Sequence, residues 1–295
     1  MEEESIEALL AEMARAVGRL VAKTPSGEVL NCGTCFGLSI DGVKAIATAE
    51  HVVKGLRPLG DLFLQVIPAE AQRQHGAVIA PTEYRLDADS AIRLREQHGV
   101  DVAVFEAPDS IGQGFAWLHA ETHATATQSI REVVESEPPL PVLLFGFPRF
   151  ARFKDLEARV ERAGLFPLEG AIYRWPSVVD QRQVLAVDVE VPSVEAMTSE
   201  AGELGQIFGE RLAYMRRCRS DDAQGQSVLG GYSGAPLLVI APDRAAVIGL
   251  LTDGELLDWI GRAIAVPLNH LLTTLRRTSS WRSLADKHES RSNRR

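Results

Sequence analysis

The sequence predicts a mostly β protein with a helix near each end and one more helical segment ahead of a glycine-rich turn. Three observations carry this expectation. Short apolar runs of strand length recur along the chain, as in Val102 to Phe105 and Leu237 to Ile240, with clean alternation between Val184 and Val191. Apolar residues spaced three and four apart mark Ser5–Val21 and Glu195–Arg217, and a further helix is expected at Leu268–Leu275. Turn-forming clusters punctuate the chain at Thr24-Pro25-Ser26-Gly27, at Ser136-Glu137-Pro138-Pro139-Leu140-Pro141 and at Gly230-Gly231-Tyr232-Ser233-Gly234-Ala235-Pro236.

Composition narrows the function classes. A chain of 295 residues, 45% hydrophobic and 24% charged, has room for one large domain or two packed β units. A formal charge of -9 argues against nucleic acid as a main partner. No apolar run approaches the roughly 18 residues that span a bilayer, so no membrane partner is expected. The start Met1-Glu2-Glu3-Glu4-Ser5 is acidic where a secretory signal is basic. The three cysteines, Cys32, Cys35 and Cys218, make no disulfide framework. Both features lead to the expectation of a cytoplasmic protein. Cys32 and Cys35 form a C-x-x-C with no second pair to complete a zinc site, so they read as structural.

Taken in order, Ile6, Leu9, Leu10, Met13, Ala16, Val17 and Leu20 predict an amphipathic helix over Ser5–Val21, within an N-terminal segment of residues 1–23. The β-rich part follows. Asp41-Gly42 is the tight turn of a hairpin that includes Asn31 to Val43. Leu62–Ile67 and Ala77–Ala80 read as strands, Arg85–Gln97 as a polar connection, and Val102–Phe105 as a buried strand headed by Asp101. His119 and His123 are four apart, but Glu121 stands one place too late for a zinc-binding helix, so they read as surface residues.

The prolines after Ser136 deny that stretch a regular ladder and divide a first β unit, residues 24–135, from a second, residues 136–275. Strands follow at Val142–Phe147, Gly170–Tyr173, Ala246–Gly254 and Arg262–Asn269, with a helical insertion at about 193–220 and a C-terminal helix at Leu268–Leu275. His270 on that helix reads as structural. Residues 276–295 hold seven Lys/Arg against two Asp/Glu and are expected to form a basic, disordered tail.

Chemistry points to the glycine-rich turn. Ser233 stands between glycines that permit positive φ and close approach of a substrate to the backbone. A serine hydroxyl is a weak nucleophile until a base takes its proton, so the reading needs a histidine and a carboxylate. His51 follows the run Ala45-Ile46-Ala47-Thr48-Ala49-Glu50, and Asp101 heads Val102-Ala103-Val104-Phe105. In the order His, Asp, Ser, the stretches Thr48-Ala49-Glu50-His51, Asp101-Val102-Ala103-Val104 and Gly231-Tyr232-Ser233-Gly234-Ala235-Pro236 resemble the motifs of chymotrypsin-like (trypsin-like) serine peptidases, nearest to bacterial intracellular members.

That resemblance implies two six-stranded β-barrels with the site between them and a serine endopeptidase working through His51, Asp101 and Ser233. It implies an oxyanion hole from the backbone N–H groups of Gly231 and Ser233 and a substrate-binding surface near Ser227, Thr252, Gly254 and Ala263. No cofactor and no metal are expected. The partners it implies are a protein or peptide substrate and, through the helical insertion, a regulatory protein. The sequence departs from the family at Tyr232, where an acidic or amide residue is usual, at Ala235 and at Glu50, whose carboxylate would either raise the His51 pKa or face solvent. Two alternatives stand beside this reading: a peptidase-shaped scaffold that binds without cutting, and an esterase using the same triad.

Overall fold

A computed structural model describes residues 11–66, 81–112, 114–136, 140–147, 166–172, 185–190, 231–241, 244–257 and 260–292. The chain is mostly β, with helices near both ends, and its strands fall into a curled sheet followed by a closed barrel, consistent with the two-unit chymotrypsin-like fold expected. The expected strand at Ala77–Ala80 and the helical insertion at about 193–220 lie outside the described residues.

The first unit contains β1 (Val17–Lys23), β2 (Val29–Ile40), β3 (Val43–Thr48), β4 (Asp61–Val66), β5 (Thr82–Leu86), β6 (Ile92–Arg93), β7 (Ala103–Glu106) and β8 (Leu118–His119). They are ordered β5-β4-β1-β2-β3-β7-β6, with β8 added parallel to β2. Edge strands β5 and β6 are not paired to each other among the described residues, so this unit is an eight-stranded sheet where a six-stranded barrel was expected. Asp41 and Gly42 both take positive φ, 51° and 77°, which makes the two-residue turn between β2 and β3.

The helix expected over Ser5–Val21 ends early. Residues 11–16 are helical, and Val17 begins a strand that pairs with β2 on one side and β4 on the other. Helical spacing in Val17 and Leu20 was coincidental: a central strand buried on both faces also needs apolar residues at nearly every position. The polar connection expected over Arg85–Gln97 holds the end of β5, β6 and a short helix, Arg95–His98.

The sheet buries a different cluster on each face, as period-2 alternation requires. Leu20, Ala22, Cys35, Ile46 and Phe105 join Leu56, Leu64 and Phe115 on one side. Phe36, Leu38, Ala45, Ala47 and Val104 face the other way, onto Leu238, Val247, Leu250 and Val266 of the second unit.

The second unit is the expected six-stranded barrel. It closes in the order β10 (Phe166–Ile172), β11 (Leu185–Glu190), β14 (Ile260–Pro267), β13 (Arg244–Leu257), β12 (Pro236–Ala241) and β9 (Leu140–Gly146). A 17-residue helix, Ala120–Ser136, leads into it. His123 on this helix is not at the surface as expected: it is 8% exposed, and its Nδ1 accepts the Val247 N–H at 3.3 Å. His119, at the end of β8, is exposed.

The expected disordered tail is also overturned. Leu268–Arg277 forms the C-terminal helix, and Ser279–Ser292 forms another after it. Trp281 is 1% exposed within the main core, with Leu284 and Ala285 packed against the same cluster. Its indole N–H donates to Asp41 Oδ2 at 3.3 Å, Arg276 Nε donates to the same oxygen at 2.9 Å, and His288 Nε2 lies 2.8 Å from Glu106 Oε1. The buried indole of Trp281, with Leu284 and Ala285, anchors this segment on the core although its average composition is polar.

Candidate active site

The first half of the site is local to the curled sheet. β3 ends at Thr48, and the next helix, Glu50–Leu56, carries His51 in its first turn. Asp101 lies between a short helix, Arg95–His98, and β7. That helix ends on Gly99 at φ 68°, in the left-handed region that glycine enters without strain.

The Asp101 carboxylate grips His51 at two points. Oδ1 accepts the His51 backbone N–H at 3.0 Å, and Oδ2 lies 2.7 Å from Nδ1 of the ring. An ionised carboxylate only accepts, so the Nδ1 proton belongs to the histidine and Nε2 is left as the basic nitrogen. Burial opposes ionisation of Asp101, but the His51 ring, its charge and its backbone N–H, with Arg95 at 3.6 Å, hold the carboxyl below the usual carboxylate range. The His51 side chain is 40% exposed and Asp101 22%, so the ring is reachable and its partner is sheltered.

Glu50 does not face solvent, one of the two settings expected for it. It is 5% exposed, and its Oε2 accepts the Arg95 backbone N–H at 2.8 Å while its own N–H donates to the Asp101 carbonyl at 3.4 Å. It ties the loop that carries Asp101 to the helix that carries His51.

The second half is the turn at residues 231–234. Gly231 and Gly234 take φ 94° and 92°. Gly234 N–H donates to the Leu251 carbonyl at 2.7 Å, and Ala235 N–H to the Tyr232 carbonyl at 2.7 Å. Tyr232 is fully buried against Gly146, where an added Cβ would stand 2.4 Å from a ring carbon. Ser233 itself is half-buried. Among the described residues, no hydrogen-bond partner meets the Ser233 hydroxyl, the Ser233 N–H or the Gly231 N–H.

Thr34 of β2 joins the halves. Its N–H donates to the Ser233 carbonyl at 3.1 Å and its hydroxyl to the Gly231 carbonyl at 2.6 Å, while its carbonyl accepts the Thr48 hydroxyl at 2.7 Å. Gly33, the residue before it, lies so close to the His51 helix that an added Cβ would stand 2.4 Å from Val52 Cγ1. His51 and Asp101 are therefore bonded directly, and Ser233 is docked on the strand against which the His51 helix packs. His51 and Ser233 share no hydrogen bond in this structure.

Of the expected substrate-binding residues, Ser227 lies outside the described residues. Thr252 is the extra residue of a bulge between Leu251 and Asp253, and its hydroxyl donates to the Ile264 carbonyl at 3.3 Å. Gly254 stands opposite buried Ala263 on β14. β12 pairs with β13 no further than Leu250, so among the described residues 252–257 of β13 have a strand on one side only. Cys35 is buried, its thiol donates to the Gly18 carbonyl at 3.4 Å, and burial pushes its pKa far up, which suits a structural role. No cluster of three or more metal-ligating side chains occurs among the described residues, and no described helix is long and apolar enough to cross a membrane.

Thr34 and Arg95 escaped the sequence reasoning. Thr34 sits in a stretch that reads only as a glycine-containing strand, and its contacts with the turn cross 197 positions. Polarity alone did not single it out, because Asn31 and Ser39 lie in the same strand.

No protein-family description matches the chain, and no curated protein matches it. Among solved structures, it is similar to a thermostable serine protease, AL20, from an extremophilic microorganism, at 11% identity and a TM-score of 0.43, over 89% of this chain and 99% of that one.

Proposed function

We propose that this chain is a serine endopeptidase in which Ser233 is the nucleophile, His51 the general base and Asp101 the group that orients His51. The observation that carries the proposal is the two-point hold of Asp101 on the His51 ring and backbone. It fixes the tautomer in which Nε2 has a free lone pair and steadies the imidazolium that forms when that nitrogen takes a proton.

In this reading Ser233 Oγ attacks the carbonyl carbon of a peptide bond as its proton passes to His51 Nε2. The carbonyl oxygen becomes an oxyanion facing the N–H groups of Gly231 and Ser233, each such donor contributing about 3 kcal/mol in sites of this kind. The C–N bond then breaks, His51 returns the proton to the leaving amine, and an ester remains on Ser233. Water, deprotonated by His51, attacks that ester and releases the acid and the free serine. The stretch of β13 beside the turn, which among the described residues has a strand on one side only, favours an extended peptide over a simple ester, because a peptide backbone can pair with it as an added strand.

The test is intact-mass labelling with a fluorophosphonate, a reagent that stays on an activated serine. One adduct on the wild type, lost in Ser233→Ala and in His51→Ala, is the expected result. A folded wild type that takes no adduct would sink the peptidase reading.

A further inference from the structure

We infer that Thr34 is the positioning residue that sets the oxyanion turn, through its hydroxyl; the inference rests on the reading of Ser233 as nucleophile. Each polar group of Thr34 is engaged. Besides its bonds to Ser233, Gly231 and Thr48, its Oγ1 accepts the Phe147 N–H at 3.0 Å. Thr34 is fully buried, so these bonds form away from water, where a lost partner is expensive.

The pattern of the bonds says what they hold. Donation to the Gly231 carbonyl fixes the peptide plane between residues 231 and 232, and donation to the Ser233 carbonyl fixes the plane between 233 and 234. The plane between them carries the Ser233 N–H, and Gly231 supplies the other proposed oxyanion donor. Gly231, at φ 94°, has no side chain to bias its own peptide orientation, so the bias must come from a neighbour. Thr34 provides it from β2, and Phe147 N–H completes the hydroxyl from the second unit. The Thr34 hydroxyl is a buried polar anchor of the turn, reaching it from β2.

A hydroxyl role and a packing role separate cleanly at this position. Thr34→Val keeps the shape and the backbone bonds and removes the hydroxyl; Thr34→Ser keeps the hydroxyl and removes the methyl. The measurement is the second-order rate of fluorophosphonate labelling in the full chain, followed across pH, with thermal unfolding as a control on folding. Thr34→Val should label about 100-fold more slowly, the size of effect that follows loss of an oxyanion donor. Its pH profile should keep the wild-type midpoint, because His51 and Asp101 are untouched, and Thr34→Ser should label within a few-fold of wild type.

Labelling of Thr34→Val at the wild-type rate overturns the inference and leaves the nucleophile reading intact. So does slow labelling of Thr34→Ser alongside normal labelling of Thr34→Val, which would make the residue a packing element. Should Thr34→Val not fold, Thr34→Ala against Thr34→Ser makes the same comparison. A wild type that does not label removes the nucleophile reading and this inference together.

Discussion

The two halves of the candidate site are held by different physics. His51 and Asp101 are 50 positions apart and meet within one sheet, through charge-assisted hydrogen bonds that also involve Glu50 and Arg95. The Ser233 turn has two glycines at positive φ and is held from across the chain by Thr34 and by the Leu251 carbonyl. A network of charged groups can define its own geometry, because each bond is short and directional. A glycine turn cannot, and takes its shape from the surface it is pressed against. Changes in the first half should therefore act on chemistry, and changes in the second on the docking of the turn and on stability.

The largest effect expected is that of Asp101→Asn. The amide oxygen would keep the bond from the His51 backbone N–H, which turns the NH₂ group toward Nδ1. Nδ1 must then accept, its proton moves to Nε2, and the base is lost with little change in shape. The expected outcome is a fall of about 10⁴-fold in turnover or in fluorophosphonate labelling. The unfolding midpoint should move far less. A variant that labels normally would mean that the His51–Asp101 bond does not set the tautomer.

Gly234→Ala should do the reverse and break the fold at the docking surface. An added Cβ would stand 2.0 Å from the Thr34 carbonyl oxygen and 2.4 Å from Thr48 Oγ1, on a residue at φ 92°. The left-handed conformation costs about 1–2 kcal/mol for a residue with a side chain, and forced overpacking a further ~1–3 kcal/mol. A loss of about 3–4 kcal/mol in denaturant unfolding is expected. A change under 1 kcal/mol would show that the turn is not pressed on Thr34.

The same contrast explains what could be read from the sequence. His51 and Asp101 each stand beside a run of apolar residues, the Asp41-Gly42 hairpin follows from turn chemistry, and the closed second barrel was expected from the resemblance of the motifs. Thr34 could not be found this way, because its role depends on contacts nearly 200 positions away. Val17–Val21 was read as helix because a strand buried on both faces loses its period-2 signature. Ser279–Ser292 was read as disordered because composition averages over a segment, while its order depends on where Trp281 and Asp41 meet. Local patterning reveals elements; it does not reveal which distant surface completes them.

The two halves should also part company with pH. His123 lies under β13, the strand whose Leu251 carbonyl receives Gly234 N–H, and its unprotonated Nδ1 accepts the Val247 N–H. Burial, and the nearby charge of His119, lower its pKa from 6.5 to about 4. The unfolded chain takes up this proton near pH 6.5 and the folded chain only near pH 4. Between those values the unfolded state binds more protons, so stability falls as pH falls, and below about 4 there is no further loss from this group. The shift corresponds to about 3 kcal/mol. Asp101 behaves otherwise: its carboxyl is held below the ordinary carboxylate value, so its contribution is present above that value and is lost only as pH falls through the lower folded one. Acidification from pH 6.5 to 4 should thus weaken the support beneath the Ser233 turn while the Asp101 carboxylate stays charged. His123→Asn places an amide oxygen near the position of Nδ1 and cannot titrate, so urea midpoints at pH 7, 5.5 and 4.5 should fall less steeply for it than for the wild type. Parallel curves for the two proteins would mean that His123 is not the group that couples the second unit to pH.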